Sequence, residues 1–537
     1  MRFDRFAARY RSNGEPWHRR WALTACALLI ALPLAAQKAQ PAPPPQPDST
    51  ANPATQPTHI TPEQAKDLFG SVDAILAFDS KETGLPILRS VKRRLVTRDE
   101  VEHYLMQQLH NDRDAKRLER SELVLKKFGL LDRDFELQPF LVKLLREQIA
   151  GYYNDKTNTV SLLDWIPPVE QKPVLAHELT HALQDQHIHL EKWMRQSDLS
   201  LSKNVRQDNQ HIATDEQGTV RDAVIEGQAM AVFINYALAP SGKNLLTAPD
   251  VADKMNEAMS DSSDSPTMAS APLVLQRSLL FPYVDGLNFV RAVLTASGQQ
   301  AAFAGVLDHP PTSTYEIMTP QVYLDHRAVP LLRMPDIHPL IDPHYAPYDV
   351  GVMGEFDVQI MAELFGGQAA ARALAPAWRG GIYYAAQNKA AKTTAEQASL
   401  NSLALVYLSR WATPQAARAF ADIYAAEIPR KDDDAVLQPD SGPDDDAGTS
   451  SRVWSTPQGP VLIVVSGRTV FISESFPMEL ARKLQLVMMG SIADSAGSVL
   501  VQLSPQTPRT DLTTALRRCL FADVLPAKAF TATQPRD

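Results

Sequence analysis

Residues 177–181 read His-Glu-Leu-Thr-His, inside the run Val174-Leu-Ala-His-Glu-Leu-Thr-His-Ala-Leu-Gln-Asp-Gln-His187. Nothing in that run breaks a helix, and Leu175, Leu179, Ala182 and Leu183 supply an apolar face. On a helix, His177 and His181 stand one turn apart and point the same way. Two imidazoles so placed grip one Zn²⁺ at about 2.0–2.1 Å. Glu178 is turned about 100° from His177 along the helix. It stands beside the metal, where a carboxylate takes a proton from a bound water. The spacing therefore supplies two ligands of a zinc site and a general base. The bland alternative is a surface helix with two solvated histidines, and the apolar face argues against it.

Zinc hydrolases use three protein ligands and leave a fourth position for water. His187 is one candidate third ligand, at the spacing His-Glu-x-x-His-x-x-x-x-x-His of the metzincins. That pattern needs Gly between the second and third His so that the chain turns back, and this chain has Gln184 there. If the helix continues, His187 faces away, about 240° round the axis from His181. Glu226 is the other candidate, in Arg221-Asp-Ala-Val-Ile-Glu-Gly-Gln-Ala-Met230. This stretch reads as a second helix with Val220, Ala223 and Val224 inward. A Glu on its buried side is expensive unless paired or metal-bound. Gly227 costs about 1 kcal/mol in a helix against Ala, which makes sense if it lets this helix pack closely on the His177 helix.

His177-Glu-x-x-His181 followed by Glu226-Gly-x-Ala229 resembles a gluzincin, the zincin class whose third ligand is a Glu on a second helix. The wider chain is similar to a family of exported bacterial zinc-peptidase-like proteins. The matching pieces are Gly151-Tyr-Tyr-Asn-Asp-Lys-Thr157, Leu175 to His187, Glu226-Gly-Gln-Ala229, Phe281-Pro-Tyr-x-x-Gly-x-x-Phe-Val290 and Pro310-Pro-x-Ser-Thr314. Where that family has Trp-x-Gly-Asp-Arg-Tyr, this chain has Trp378-Arg-Gly-Gly-Ile-Tyr383. The resemblance implies Zn²⁺ as cofactor, His177, His181 and Glu226 as ligands, Glu178 as catalytic base and a peptide or protein as substrate. It also implies a sheet beside the zinc helix whose edge strand, here Asn158 to Leu163, holds substrate in extended form; an ordinary core strand is the alternative. Zincins add a second donor to the developing oxyanion, for which Tyr315 and Tyr153 are candidates. Asp185, one turn beyond His181, is the candidate that orients a ligand imidazole.

A chain of 537 residues is long enough for a large core and more than one structural unit. Six arginines and two acids precede an apolar run, Trp21 to Ala36, which ends on Ala35-Ala36. This reads as an export signal over 1–36, with an uncleaved anchor as the alternative. The whole chain carries −9, and without that segment it carries near −13. Such a balance disfavours nucleic acid and anionic membrane as partners. Cys519 is then the one remaining cysteine, which excludes an intrachain disulfide and a Cys-rich zinc site.

Residues 37–60 are rich in Pro, Ala, Gln and Thr and read as a disordered linker. Thr61-Pro-Glu-Gln64 and Thr97-Arg-Asp-Glu100 are capping boxes that open helices. Residues 98–150 read as helical with breaks near Gly129 and Asp132. Residues 202–216 and 256–271 read as loops, and Leu273 to Ala426 as mainly helical. The expected fold is α+β, predominantly helical, with a zincin-like domain over 61–430 and a small mixed sheet beside the zinc helix. An acidic linker at 431–452 precedes a hairpin-plus-helix module at 453–503, with a C-terminal segment at 504–537. The hairpin pairs Gly459 to Val465 with Thr469 to Glu474, and its helix runs from Met478 to Met489.

Overall fold

The computed structural model describes residues 59–101, 112–148, 151–194, 203–260, 265–439 and 449–494. The expected export signal, nearly all of the linker after it, Cys519 and the C-terminal segment lie outside them. The first helix, α1 (Pro62–Thr83), starts where the capping box places it. Thr61 Oγ1 accepts the Gln64 N–H, the Gln64 side chain accepts the Thr61 N–H, and Gly84 ends the helix at φ 72°. The box at Thr97 and Glu100 closes in the same way, with bonds of 2.9 and 3.3 Å. After β1 (Lys92–Val96) come α2 (Asp112–Phe128) and α3 (Leu137–Gln148), separated by the expected break. Gly129, at φ 82°, stops α2.

A three-stranded mixed sheet follows, built from β1, β2 (Tyr152–Asn154) and β3 (Thr159–Leu163) in the order β1-β3-β2. The strand expected as a substrate-holding edge is thus the central one. β3 bonds to β1 in parallel and to β2 antiparallel, so both its backbone edges are used. The expected small mixed sheet is present, and β2 and β3 lie against α4 (Pro168–Ile188). In α4, every residue from Val174 to Gln186 is buried. A helix enclosed on all sides belongs to the interior. Each of its polar side chains then needs a partner there.

Residues 202–216, expected as a loop, form α5 (Val205–Ile212), with Asn204 Oδ1 accepting the Gln207 N–H at the N-cap. Asp208 is fully buried in it and held by His338 Nε2 at 3.0 Å, a contact that a local reading cannot see. Residues 256–260 likewise complete a helix, Pro249–Ser260. Next come α6 (Gln217–Leu238) and α7 (Leu273–Gln300), which meet backbone to backbone. A Cβ on Gly227 would stand 2.3 Å from Gly286 C and O, and one on Gly286 would stand 2.2 Å from Ala223 O. Gly227 therefore serves the contact with α7, not the expected contact with the His177 helix.

The largest departure lies beyond residue 340. There β4 (Tyr345–Val352), α8 (Glu355–Leu374), β5 (Trp378–Asn388), β6 (Leu403–Trp411) and α9 (Pro414–Lys431) precede β7 (Val436–Leu437), β8 (Thr449–Thr456), β9 (Gly459–Ser466), β10 (Thr469–Glu474) and α10 (Met478–Asp494). Their strands form one seven-stranded antiparallel sheet, ordered β4-β5-β6-β10-β9-β8-β7. β5 and β6 are buried along almost their whole length. Strands covered on both faces carry continuous apolar runs and lose the period-two alternation, so they read as helix. The hairpin forms as expected, with Ser466 opposite Thr469, yet β10 also pairs with β6. Residues 61–430 and 453–503 thus share one sheet, and part of the acidic segment between them supplies its edge strand β7. Phe128, Tyr383 and Tyr407 stack edge to face, with ring centres 5.5 and 6.0 Å apart, and so lock α2 onto this sheet.

Candidate metal centre

Helices α4 and α6 bring His177, His181 and Glu226 together. His177 Nε2 lies 3.1 Å from Glu226 Oε2 and 3.0 Å from His181 Nε2; His181 Nε2 lies 3.6 Å from the same Glu226 oxygen. Two donors at zinc bonding distance in tetrahedral directions stand about 3.3 Å apart. The three spacings bracket that value, and all three residues are buried. Among the described residues this is a group of ligand atoms that can hold a metal ion.

The charge states suit a cation. Burial lowers the His177 imidazole to about 4, against the opposing hydrogen bond from Glu226, so its ring is neutral near pH 7. Burial pushes the Glu226 carboxyl up, but His181 and His177 together hold it at about 2. The centre thus holds a carboxylate beside neutral imidazole, the donor states that zinc requires. Glu178 differs. Burial above all raises its carboxyl to about 8, with Glu226 adding to the rise and His181 and the Tyr153 N–H opposing it. Its Oε2 accepts that N–H at 2.9 Å, while Oε1 is buried with no hydrogen-bond partner.

The ring of His181 is fixed from behind by Gln184, with Nδ1 2.9 Å from Gln184 Oε1. An amide oxygen accepts, so Nδ1 carries a hydrogen and Nε2 is the nitrogen that faces the centre. Gln184 Nε2 donates to Ile225 O at 3.0 Å and to Gln228 Oε1 at 2.9 Å. Gln228 Nε2 donates to Ala302 O and Phe303 O, in a single π-helical turn over Ala301–Gly305. The residue that stands in place of the metzincin Gly is thus the residue that orients a ligand. The only sequence signal for it was that it was not Gly. Tyr283, also missed, stacks on His177 at 6.4 Å between ring centres.

The side chains of the remaining expected site residues have other partners. α4 continues through Gln184, and His187 Nε2 pairs with Asp308 Oδ1 at 2.9 Å, so His187 is not a ligand. Asp185 orients no imidazole: it accepts from Arg89, from Tyr153 Oη at 3.0 Å and from the Leu190 N–H at 3.0 Å. Tyr153 sends its hydroxyl to Asp185 and Asn158 and meets Glu178 through its backbone alone. It is not an oxyanion donor in this arrangement. The Tyr315 ring lies against Trp378, with Arg379 over it.

A family model described as a domain of unknown function (DUF8575) matches residues 346–485. That span is the seven-stranded sheet and its helices, and it excludes the metal centre. No curated protein and no solved structure matches the chain.

Proposed function

We propose that this protein is an exported zinc-dependent metallopeptidase of gluzincin type. The observation that carries the reading is the convergence of His177, His181 and Glu226 beside a Glu178 whose Oε1 is unengaged. His177, His181 and Glu226 would hold the zinc ion, which would supply an acidified water and a Lewis acid for the scissile carbonyl. The charge of a bound cation would lower the Glu178 carboxyl from about 8, and Glu178 would then take the proton of the attacking water and return it to the leaving amine. The Tyr153 N–H holds the Glu178 carboxylate in place through this exchange. Gln184 keeps His181 Nε2 turned to the centre. The basic and apolar residues 1–36 support export, and no described helix is long and apolar enough to cross a membrane.

The test measures zinc per protein and peptide hydrolysis on the same preparations. One zinc per chain is expected, with loss of zinc in Glu226→Ala. Glu178→Gln keeps the zinc and loses hydrolysis by at least about 100-fold. Full zinc in Glu226→Ala sinks the ligand assignment, and undiminished hydrolysis in Glu178→Gln sinks the mechanism. One observation favours a second reading, an exported binding or assembly protein that keeps a metal centre without turnover. His177, Glu178 and His181 are only 1, 1 and 2% exposed. Zinc retained with no hydrolysis of any peptide in a broad library supports that reading.

A further inference from the structure

Lys127 ends α2 inside the protein, at 1% exposure. Its Nζ donates to Ser475 Oγ at 2.6 Å and to Gln458 Oε1 at 2.9 Å, both uncharged partners. Glu474, the acid that most favours its charged form, is already engaged. It accepts from Lys431 Nζ at 2.7 and 2.9 Å and from Tyr424 Oη at 2.6 Å. Arg133 and Asp432 also face Lys127, and they pair with each other at 3.2 Å. Burial dominates this balance and lowers the amine to about 7, with Glu474 opposing. A lysine in that state is a competent general base at neutral pH.

Ser475 is half-buried and holds φ 65°, in the left-handed region. A residue with a Cβ pays about 1–2 kcal/mol there, so the surroundings must hold it. It sits in the turn between the end of β10 and the start of α10, and a strand-to-helix turn is where α/β-hydrolases place their nucleophile. Gly459, at φ 119°, passes directly beside it. A Cβ on Gly459 would stand 3.0 Å from Ser475 Cα.

We propose that Ser475 and Lys127 form a serine–lysine dyad for acyl transfer, acting on carboxylic esters with compact acyl groups, independently of the metal centre. Ser475 Oγ forms a bond to the ester carbonyl carbon while its proton passes to Lys127 Nζ. The carbon–alkoxy bond breaks, and Lys127 returns the proton to the departing alcohol. Water then attacks the acyl-serine, gives a proton to Lys127, and the acid leaves as Ser475 recovers its hydrogen. Esters fit because the dyad has a single proton donor, and an alcohol departs with less assistance than an amine. Compact acyl groups fit because Gly459 closes in on Ser475 and Gln458 occupies a second hydrogen bond of Lys127.

The experiment treats the full chain with a fluorophosphonate and maps the adduct by mass spectrometry. Ser475 Oγ displaces fluoride at phosphorus, and Lys127 takes the proton. The expected result is one adduct per chain on Ser475, with a labelling rate that rises to a plateau through a midpoint near pH 7. Ser475→Ala abolishes the adduct. Lys127→Met slows labelling by about 100-fold. Lys127→Arg keeps a cation that cannot deprotonate, so it tests the base even if the Met variant fails to fold. No adduct on Ser475, equal labelling in Lys127→Arg, or a rate flat from pH 5.5 to 8.5 overturns the proposal.

Discussion

At the scale of single residues, the candidate metal centre depends on side chains that touch His177, His181 and Glu226 as much as on those three residues themselves. Gln184 bonds to His181, to Ile225 O and to Gln228, so a change there reaches both helices of the site. Gln184→Leu is expected to weaken zinc binding by about 10–100-fold, read by competition with a chelator of known affinity. Unchanged affinity means that packing alone sets the His181 ring. Glu355 makes a second prediction. It is 2% exposed, and its Oε2 has no hydrogen-bond partner. Burial first, then Glu216, raises its carboxyl to about 8 from an ordinary 4.5. The folded state thus holds a proton that the unfolded chain releases. The associated stability is fully present below about pH 4.5 and is lost as pH rises through 8. Glu355→Gln should shrink the fall in urea midpoint between pH 5 and pH 8. An equal fall in both proteins means that Glu355 is ionised in the fold.

At the scale of elements, pairs of helices set the site. α4 supplies two imidazoles and a base because one helical turn aligns them. α6 supplies the carboxylate, and its depth is set by the crossing with α7 at Gly227 and Gly286. Gly227→Ala would drive a methyl into backbone, where no side chain can rotate away. It is expected to lower stability by about 3 kcal/mol and to weaken zinc binding together with it. Denaturant unfolding followed with zinc analysis checks both, and unchanged stability would show that the helices slide apart freely. The same elements show how far local patterns reach. Both capping boxes, the break at Gly129 and the hairpin at Ser466 were legible because each is set by residues within a few positions. Gly227 was legible as a close-packing residue, but its partner helix was not. The role of Asn158 to Leu163 was misplaced because only strand order decides which strand is an edge.

At the scale of the whole molecule, the described residues join two architectures, helices around the His177, His181 and Glu226 cluster and a seven-stranded antiparallel sheet. The sheet crosses the acidic segment, since β6 pairs with β10. Ending the chain at residue 430 would strip β10 from β6, an apolar strand buried along most of its length. Exposed apolar edges aggregate, so the fragment 61–430 should elute as aggregate on size exclusion while the full chain does not. A monodisperse fragment would show that the sheet tolerates its loss.

Local order in the chain was enough to place His177 and His181 on one face of a helix, Glu178 beside them and Glu226 on a second helix. One turn of helix brings His177 to His181, and a buried Glu226 demands a partner. Strand pairing across an acidic segment, the contact of Gly227 with Gly286, and the meeting of Lys127 with Ser475 were decided only in three dimensions. These join residues tens to hundreds of positions apart, where neither periodicity nor spacing carries a signal. Their energies come from desolvation and close contact, which exist only once the chain has folded.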